Sequence, residues 1–106
     1  MKNQELLKSL SNCINYCNWC ADACLDEPDV KKMVKCIRTD RACSYVCAAL
    51  ANILDTKYEN IQGLVDYCRQ VCDDCADECE MHEAEHCRQC AKACRECADA
   101  CRKYSA

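Results

Sequence analysis

Cys13, Cys17, Cys20 and Cys24 step along the chain by four, three and four residues, and Cys68, Cys72, Cys75 and Cys79 repeat that step. Cys87, Cys90, Cys94, Cys97 and Cys101 extend it as three, four, three, four. Cys36, Cys43 and Cys47 complete a set of sixteen cysteines in 106 residues. Intervals of three and four place side chains on one face of an α-helix, each above the next. Thiolates are soft ligands suited to Cu(I), Zn(II) and iron–sulfur clusters. A helix face made of them is a line of metal ligands where a soluble protein ordinarily sets leucine.

Cu(I) suits this pattern best. It accepts two or three thiolates, tolerates bridging sulfur and needs no preformed tetrahedron. If each ion takes two sulfurs and each sulfur bridges two ions, the capacity is roughly sixteen ions. A Cu⁺ that displaces a thiol proton leaves the net charge of the interior unchanged, so many ions can enter without accumulating buried charge. Zinc sites are Cys₄ or Cys/His tetrahedra, usually built from loops or knuckles. The Cys-x₂-Cys pairs here are only the short half of a helical alternation, and the C-x₂-C-x₂-C-x₃-C-P run of ferredoxin-type clusters is absent. A cysteine-rich zinc or mixed-metal buffer and a disulfide-stapled interaction module remain as other readings. No nucleophile, base and oxyanion constellation is visible, so the sequence does not read as an enzyme.

The cysteines need helices to hold them. One Gly and one Pro leave little turn chemistry for β-structure, and period-two alternation is absent. The pattern predicts helices over about 3–25, from Pro28 to about Leu54, from about Tyr58 to Glu80, and over about 84–103. Asp26-Glu27-Pro28-Asp29 breaks the chain after the first helix, with Pro28 suited to a helix start. Short links force antiparallel neighbours, hence an all-α, up-down-up-down four-helix bundle with a cysteine-lined core. The expected seams read Leu6, Leu10, Cys13, Cys17, Cys20, Cys24; then Met33, Cys36, Asp40, Cys43, Cys47, Leu50, Leu54. The third and fourth read Ile61, Leu64, Cys68, Cys72, Cys75, Cys79 and Glu83, Cys87, Cys90, Cys94, Cys97, Cys101, Tyr104. The antiparallel order gathers the aliphatic segments and Tyr104 at one end as a plug. It gathers Cys24, Met33, Cys36, Cys79, Met81, His82, His86 and Cys87 at the other.

That open end is the expected way in for metal, with His82 and His86 as entry ligands and with Met33 and Met81 either assisting them or serving as packing residues. Asp40 stands on a seam between Cys36 and Cys43. It is either a snorkelling acid paired with Arg38 or Arg41, or a group that touches metal or orients a bound ion. Seven acids and no Lys or Arg fall between Asp73 and Glu85, which reads as a solvated acidic face. Ala42 to Leu54 carries no charge, and its seam leaves Tyr45, Val46, Ala49 and Ile53 needing cover, most simply from a partner subunit.

Composition agrees with a single domain over residues 1–106. Seven Leu, four Ile and five Val, with no Phe, make up about 15% of the chain, a level that ordinarily signals disorder. The thiols must therefore supply buried surface as small hydrophobes. A net charge of −4 gives no reason to propose nucleic acid, and no window approaches a membrane span. Met1 to Lys8 has no apolar h-region, so no signal peptide is expected, and the reducing cytosol is the default compartment.

These features resemble the bacterial four-helix-bundle copper storage proteins, specifically the cytosolic class. The likeness lies in Cys36-Ile-Arg-Thr-Asp40-Arg-Ala-Cys43-x₃-Cys47 and in His82-x₃-His86-Cys87-x₂-Cys90-Ala-x₂-Cys94-x₂-Cys97-Ala-x₂-Cys101, and extends over essentially the whole chain. It implies Cu(I) storage, thiols that stay reduced without metal, ions held inside the bundle and a homotetramer. It also implies that Asp40, His82 and His86 are the non-cysteine ligands towards the open end.

Overall fold

The structure, a computed structural model, describes residues 3–105. Met1 and Lys2, which open the segment read for a signal peptide, and Ala106 lie outside the described residues. Helix α1 is Gln4–Cys24, α2 is Val34–Ile53, α3 is Gln62–Cys79 and α4 is Glu85–Ser105, with a 3₁₀ turn Val30–Met33 leading into α2. Ala, Glu, Lys, Arg and Gln between the cysteines favour the helical backbone. Each helix packs on its sequence neighbour and α4 closes back on α1, giving a four-helix bundle 46 Å long and 20 Å across. The expected all-α bundle is the observed one.

Two helix starts differ from the sequence reading. Pro28 lies in the bend before Asp29, and the chain then makes a tight turn, Lys32 N–H to Asp29 O at 3.2 Å, before α2 begins at Val34. Helix α3 starts at Gln62 rather than Tyr58. Thr56 explains this: its hydroxyl donates to Ile53 O at 2.7 Å and accepts the Tyr58 N–H at 3.2 Å. Such local bonds hold the backbone in a turn and compete with helix formation.

All sixteen cysteines are fully buried. At the plugged end Leu6, Leu10, Leu50, Leu54, Ile61 and Val65 are buried with them. Val65 corrects the seam, since Leu64 is only half-buried. Strict alternation counted back from Cys72 and Cys68 by four and then three lands on Val65, and Ile61, just before the helix, is no guide to its register. Glu83 also leaves its seam: it precedes α4 and is exposed, while Tyr104 is half-buried. Beside the seams sit Ala21, Ala76 and Ala98, all buried. Side chains this small let helix backbones approach closely enough for short thiols to meet.

The acidic stretch is clasped rather than simply solvated. Arg95 of α4 bonds Asp73 at 3.2 Å, Asp77 at 2.6 Å and Glu80 at 2.8 Å, and Arg102 reaches Asp73 and Asp99. These cations come from the facing helix, which the local run of acids could not reveal. On α2, Ala42, Tyr45 and Ala49 are exposed, Tyr45 by 69%, while Val46 and Ile53 are half-buried.

The plug owes nothing to metal, so the metal-free, reduced protein is expected to be folded and helical. Leu10→Ala or Leu50→Ala should cost it about 2–5 kcal/mol, as for other buried leucines. Circular dichroism and denaturant unfolding of the metal-free protein check both points. A coil that gains helix only on adding metal would show a metal-nucleated fold instead.

Candidate metal centre

The seams bring the thiols into one continuous column. Across the axis, Cys47 meets Cys68 and Cys72 at 3.7 Å, Cys43 meets Cys13 at 3.6 Å and Cys72 at 3.7 Å, and Cys94 meets Cys13 and Cys17 at 3.7 Å. Along the helices, the pairs Cys13–Cys17, Cys43–Cys47, Cys75–Cys79 and Cys90–Cys94 stand 3.9–4.0 Å apart. Every cysteine is a free thiol. A disulfide needs an S–S distance of about 2.05 Å, so the column is packed but unbonded, and the disulfide-stapled reading has no support in it.

The donors group into overlapping tetrads whose ligand atoms lie within 4.8 Å of one another. Cys13, Cys47, Cys72 and Cys97 form one, and Cys13, Cys17, Cys43 and Cys94 the next. Cys17, Cys75, Cys90 and Cys94 follow, then Cys20, Asp40, Cys79 and Cys90, then Cys20, Cys24, His86 and Cys87. Adjacent tetrads share Cys13, then Cys17 and Cys94, then Cys90, then Cys20. Shared sulfurs are what a chain of thiolate-bridged ions requires, and a row of isolated tetrahedra would not need them.

Asp40 is fully buried on the axis, so the snorkelling alternative falls. Its Oδ1 accepts from Cys75 at 3.1 Å, Cys90 at 3.3 Å and Cys79 at 3.6 Å, and its Oδ2 from Cys36 at 3.9 Å. Burial first, then the neighbouring sulfurs of Cys90 and Cys36, pushes its carboxyl up from 3.8 to about 8. Near neutral pH it is therefore largely a neutral acid, and it brings no anion into the column.

At the other end of the column, His86 Nδ1 lies 3.4 Å from Cys20 Sγ and 3.5 Å from Cys87 Sγ, and Cys20 and Cys87 are 3.9 Å apart. Its Nε2 faces Glu27 Oε2 at 3.3 Å, and Trp19 meets the ring edge-on. His82 stands further out: its Nε2 is 2.8 Å from Glu78 Oε2, and Lys35 approaches the other oxygen of Glu78 at 3.9 Å. Met33 is buried against the core, but Met81 is 72% exposed, so the two methionines do not make a common fringe. Burial pushes the Cys24 thiol up and Cys87 up to about 12, so both carry protons near neutral pH. Glu27, Glu78 and Trp19 were not singled out from the sequence. Glu78 lies one helical turn before His82 and was readable as its partner, whereas Glu27 comes from a loop with no periodicity to flag it.

The model of the copper storage protein family matches residues 1–106. The chain belongs to the copper storage protein family. The Cu(I)-bound copper storage protein BsCsp3 superposes with a TM-score of 0.94 at 32% identity, over 100% of both chains. A cytosolic copper storage protein from Streptomyces lividans, solved during copper loading with five coppers, gives 0.93 at 42% identity, over 97% of this chain and 91% of that one. The cysteine-rich protein YhjQ of Bacillus subtilis (strain 168) is 33% identical across 84% of this chain and 82% of its own length. Copper storage is the function of the family, and these likenesses do not favour the zinc-buffer reading. None of the helices, among the described residues, is long and apolar enough to cross a membrane.

Asp40 gives this copper storage protein a testable pH signature. An acid whose pKa is higher folded than unfolded stabilises the fold below the unfolded value, and that contribution is lost as pH rises through the folded one. Between pH 3.8 and about 8, the metal-free wild type should weaken relative to Asp40→Asn, by an amount on the order of several kcal/mol in total. Urea unfolding of both proteins under reductant across this range measures it. Cys36, Cys75, Cys79 and Cys90 face the group in both proteins, so their titration largely cancels. Parallel pH profiles would contradict the assignment.

Proposed function

We propose that this chain is a cytosolic store of Cu(I) in which all sixteen cysteines bind the cargo. The observation that carries this is the series of overlapping, mostly sulfur, donor tetrads that share ligands from one to the next towards the mouth. Cys13, Cys17, Cys20, Cys24, Cys36, Cys43, Cys47, Cys68, Cys72, Cys75, Cys79, Cys87, Cys90, Cys94, Cys97 and Cys101 are the thiolate ligands. Asp40 joins them as an oxygen ligand or orienting group, and His82 and His86 serve the mouth. The chain acts as a store rather than an enzyme, folds as one domain over residues 1–106, and does not bind nucleic acid or membranes.

Cargo enters and leaves where the imidazoles stand. At the plug the way to the column is closed by buried Leu6, Leu10, Leu50, Leu54, Ile61 and Val65, which offer no ligand to replace a cation's hydration or carrier ligands. At the mouth, His82 held by Glu78 lies outermost and His86 already touches the first thiols. Transfer therefore proceeds from imidazole to Cys20, Cys24 and Cys87, and then inward through shared sulfurs.

Copies of the chain associate through the uncharged half of α2, and the family likeness points to a homotetramer. The exposed Ala42, Tyr45 and Ala49 with half-buried Val46 and Ile53 form the supporting face.

Anaerobic titration with Cu(I) against a strong chelator is expected to saturate above about ten ions per chain. Saturation at one or two would end the storage reading. Replacing His82 and His86 together by Ala should slow loading and chelator-driven removal while interior thiols still fill; unchanged rates would remove the gate. Val46→Lys or Ile53→Lys should convert an oligomer into monomers in sedimentation experiments, and a wild type already monomeric at micromolar concentration would refute the α2 interface.

A further inference from the structure

We infer that Glu27 is a positioning residue for copper exchange, holding the His86 imidazole so that its Nδ1 lone pair faces the thiols. This rests on the reading that cargo passes through the histidines at the mouth. His86 is the imidazole concerned, because its Nδ1 lies 3.4 Å from Cys20 Sγ and 3.5 Å from Cys87 Sγ. His82 is bound to Glu78 instead, and makes no hydrogen bond to a cysteine among the described residues.

The opposite nitrogen decides which way the His86 ring donates. Glu27 Oε2 stands 3.3 Å from His86 Nε2. A carboxylate oxygen only accepts, so in the neutral ring the hydrogen sits on Nε2 and Nδ1 keeps its lone pair. The other tautomer would aim a lone pair at the carboxylate and an N–H at the sulfurs, where it could receive no cation. A carboxylate on the far nitrogen also raises the basicity of the ligating one, as outer groups do for many metal-binding histidines.

Glu27 is itself fixed by the backbone. Its N–H donates to Cys24 O at 3.2 Å, and those of Leu25 and Asp26 donate to Asp22 O and Ala23 O at 3.0 and 3.1 Å. These tight turns carry the carboxylate from the end of α1 to the start of α4. Trp19 meets the His86 ring edge-on with centroids 6.1 Å apart, and Tyr16 backs Trp19 at 5.9 Å. The His86 side chain is 11% exposed and that of Glu27 36%, so the pair borders solvent, where a carrier arrives.

Exchange through this ring needs no proton movement on it. A Cu⁺ leaves its carrier's ligand for the Nδ1 lone pair. The N–Cu bond then breaks as an S–Cu bond forms at Cys20 or Cys87, and that thiol's proton passes to the freed carrier ligand or to solvent. The imidazole starts and ends with its hydrogen on Nε2, shared with Glu27.

Two measurements on the reduced protein test this. In nitrogen–proton NMR spectra of the metal-free wild type, the neutral His86 ring should show the Nε2–H tautomer alone. Glu27→Ala should add a population with the hydrogen on Nδ1, and Glu27→Gln, whose amide oxygen still accepts, should restore the single tautomer. Removal of Cu(I) by a strong chelator should slow about tenfold or more in Glu27→Ala, with much of the rate recovered in Glu27→Gln. Asp26→Ala, which deletes the neighbouring acid of the same turn, should exchange at the wild-type rate. Glu27→Ala should add no further slowing to His86→Ala, and helical circular dichroism shows that each variant is folded. A mixed tautomer in the wild type, a wild-type rate in Glu27→Ala beside a slow His86→Ala, or equal slowing by Asp26→Ala would each overturn the role of Glu27 and leave the histidine gate standing. Wild-type rates with His82 and His86 both replaced refute the gate, and the positioning role with it.

Discussion

A sulfur-filled interior must stay electrically neutral, and the rest of the structure follows from that constraint. The thiols lie in contact at 3.6–4.0 Å along a column without solvent exposure. A lone thiolate there would be desolvated and would repel any other beside it, so each sulfur carries either a proton or a cation. The same constraint acts on the one oxygen acid of the column, whose carboxyl rises to about 8. A monovalent ion exchanges for a proton without changing the balance. This is the physical reason why a store built from buried thiols suits Cu(I).

Neutral thiols are poor core material, being small, and the bundle compensates in three places. The aliphatic plug from Leu6 to Val65 gives the helices a conventional core at one end. Ala21, Ala76 and Ala98 draw the backbones together along the column. Arg95 and Arg102 clasp the acids of α3 from α4. Because these devices lie outside the sulfur column, the scaffold can hold its shape whether the column carries protons or ions. Exchange of cargo then needs no refolding.

Most of this was legible in the sequence because one rule, the three–four step of an α-helix, sets both the fold and the ligand column. The helices, their antiparallel order, the buried cysteines and the axial place of Asp40 all follow from it. The departures occur where the rule gives way to local or long-range bonds. Thr56 holds a turn where periodicity alone continues the helix to Tyr58. Leu64 and Val65 both satisfy a spacing of three or four from Cys68, and only strict alternation chooses Val65. Met81 falls beside the turn into α4 and points to solvent, since no helix there fixes its face. Glu27 reaches His86 across 59 positions of chain, a pairing that only the folded structure brings together.

The claim at the centre of this account is that copper enters by one-for-one exchange with thiol protons. Proton release during anaerobic loading with Cu(I), followed in weak buffer by pH-stat, measures it directly. The account predicts about one proton per ion, averaged from the first equivalents to saturation. Release falling towards zero while copper is still being bound would mean that net positive charge accumulates in the interior, and would contradict it.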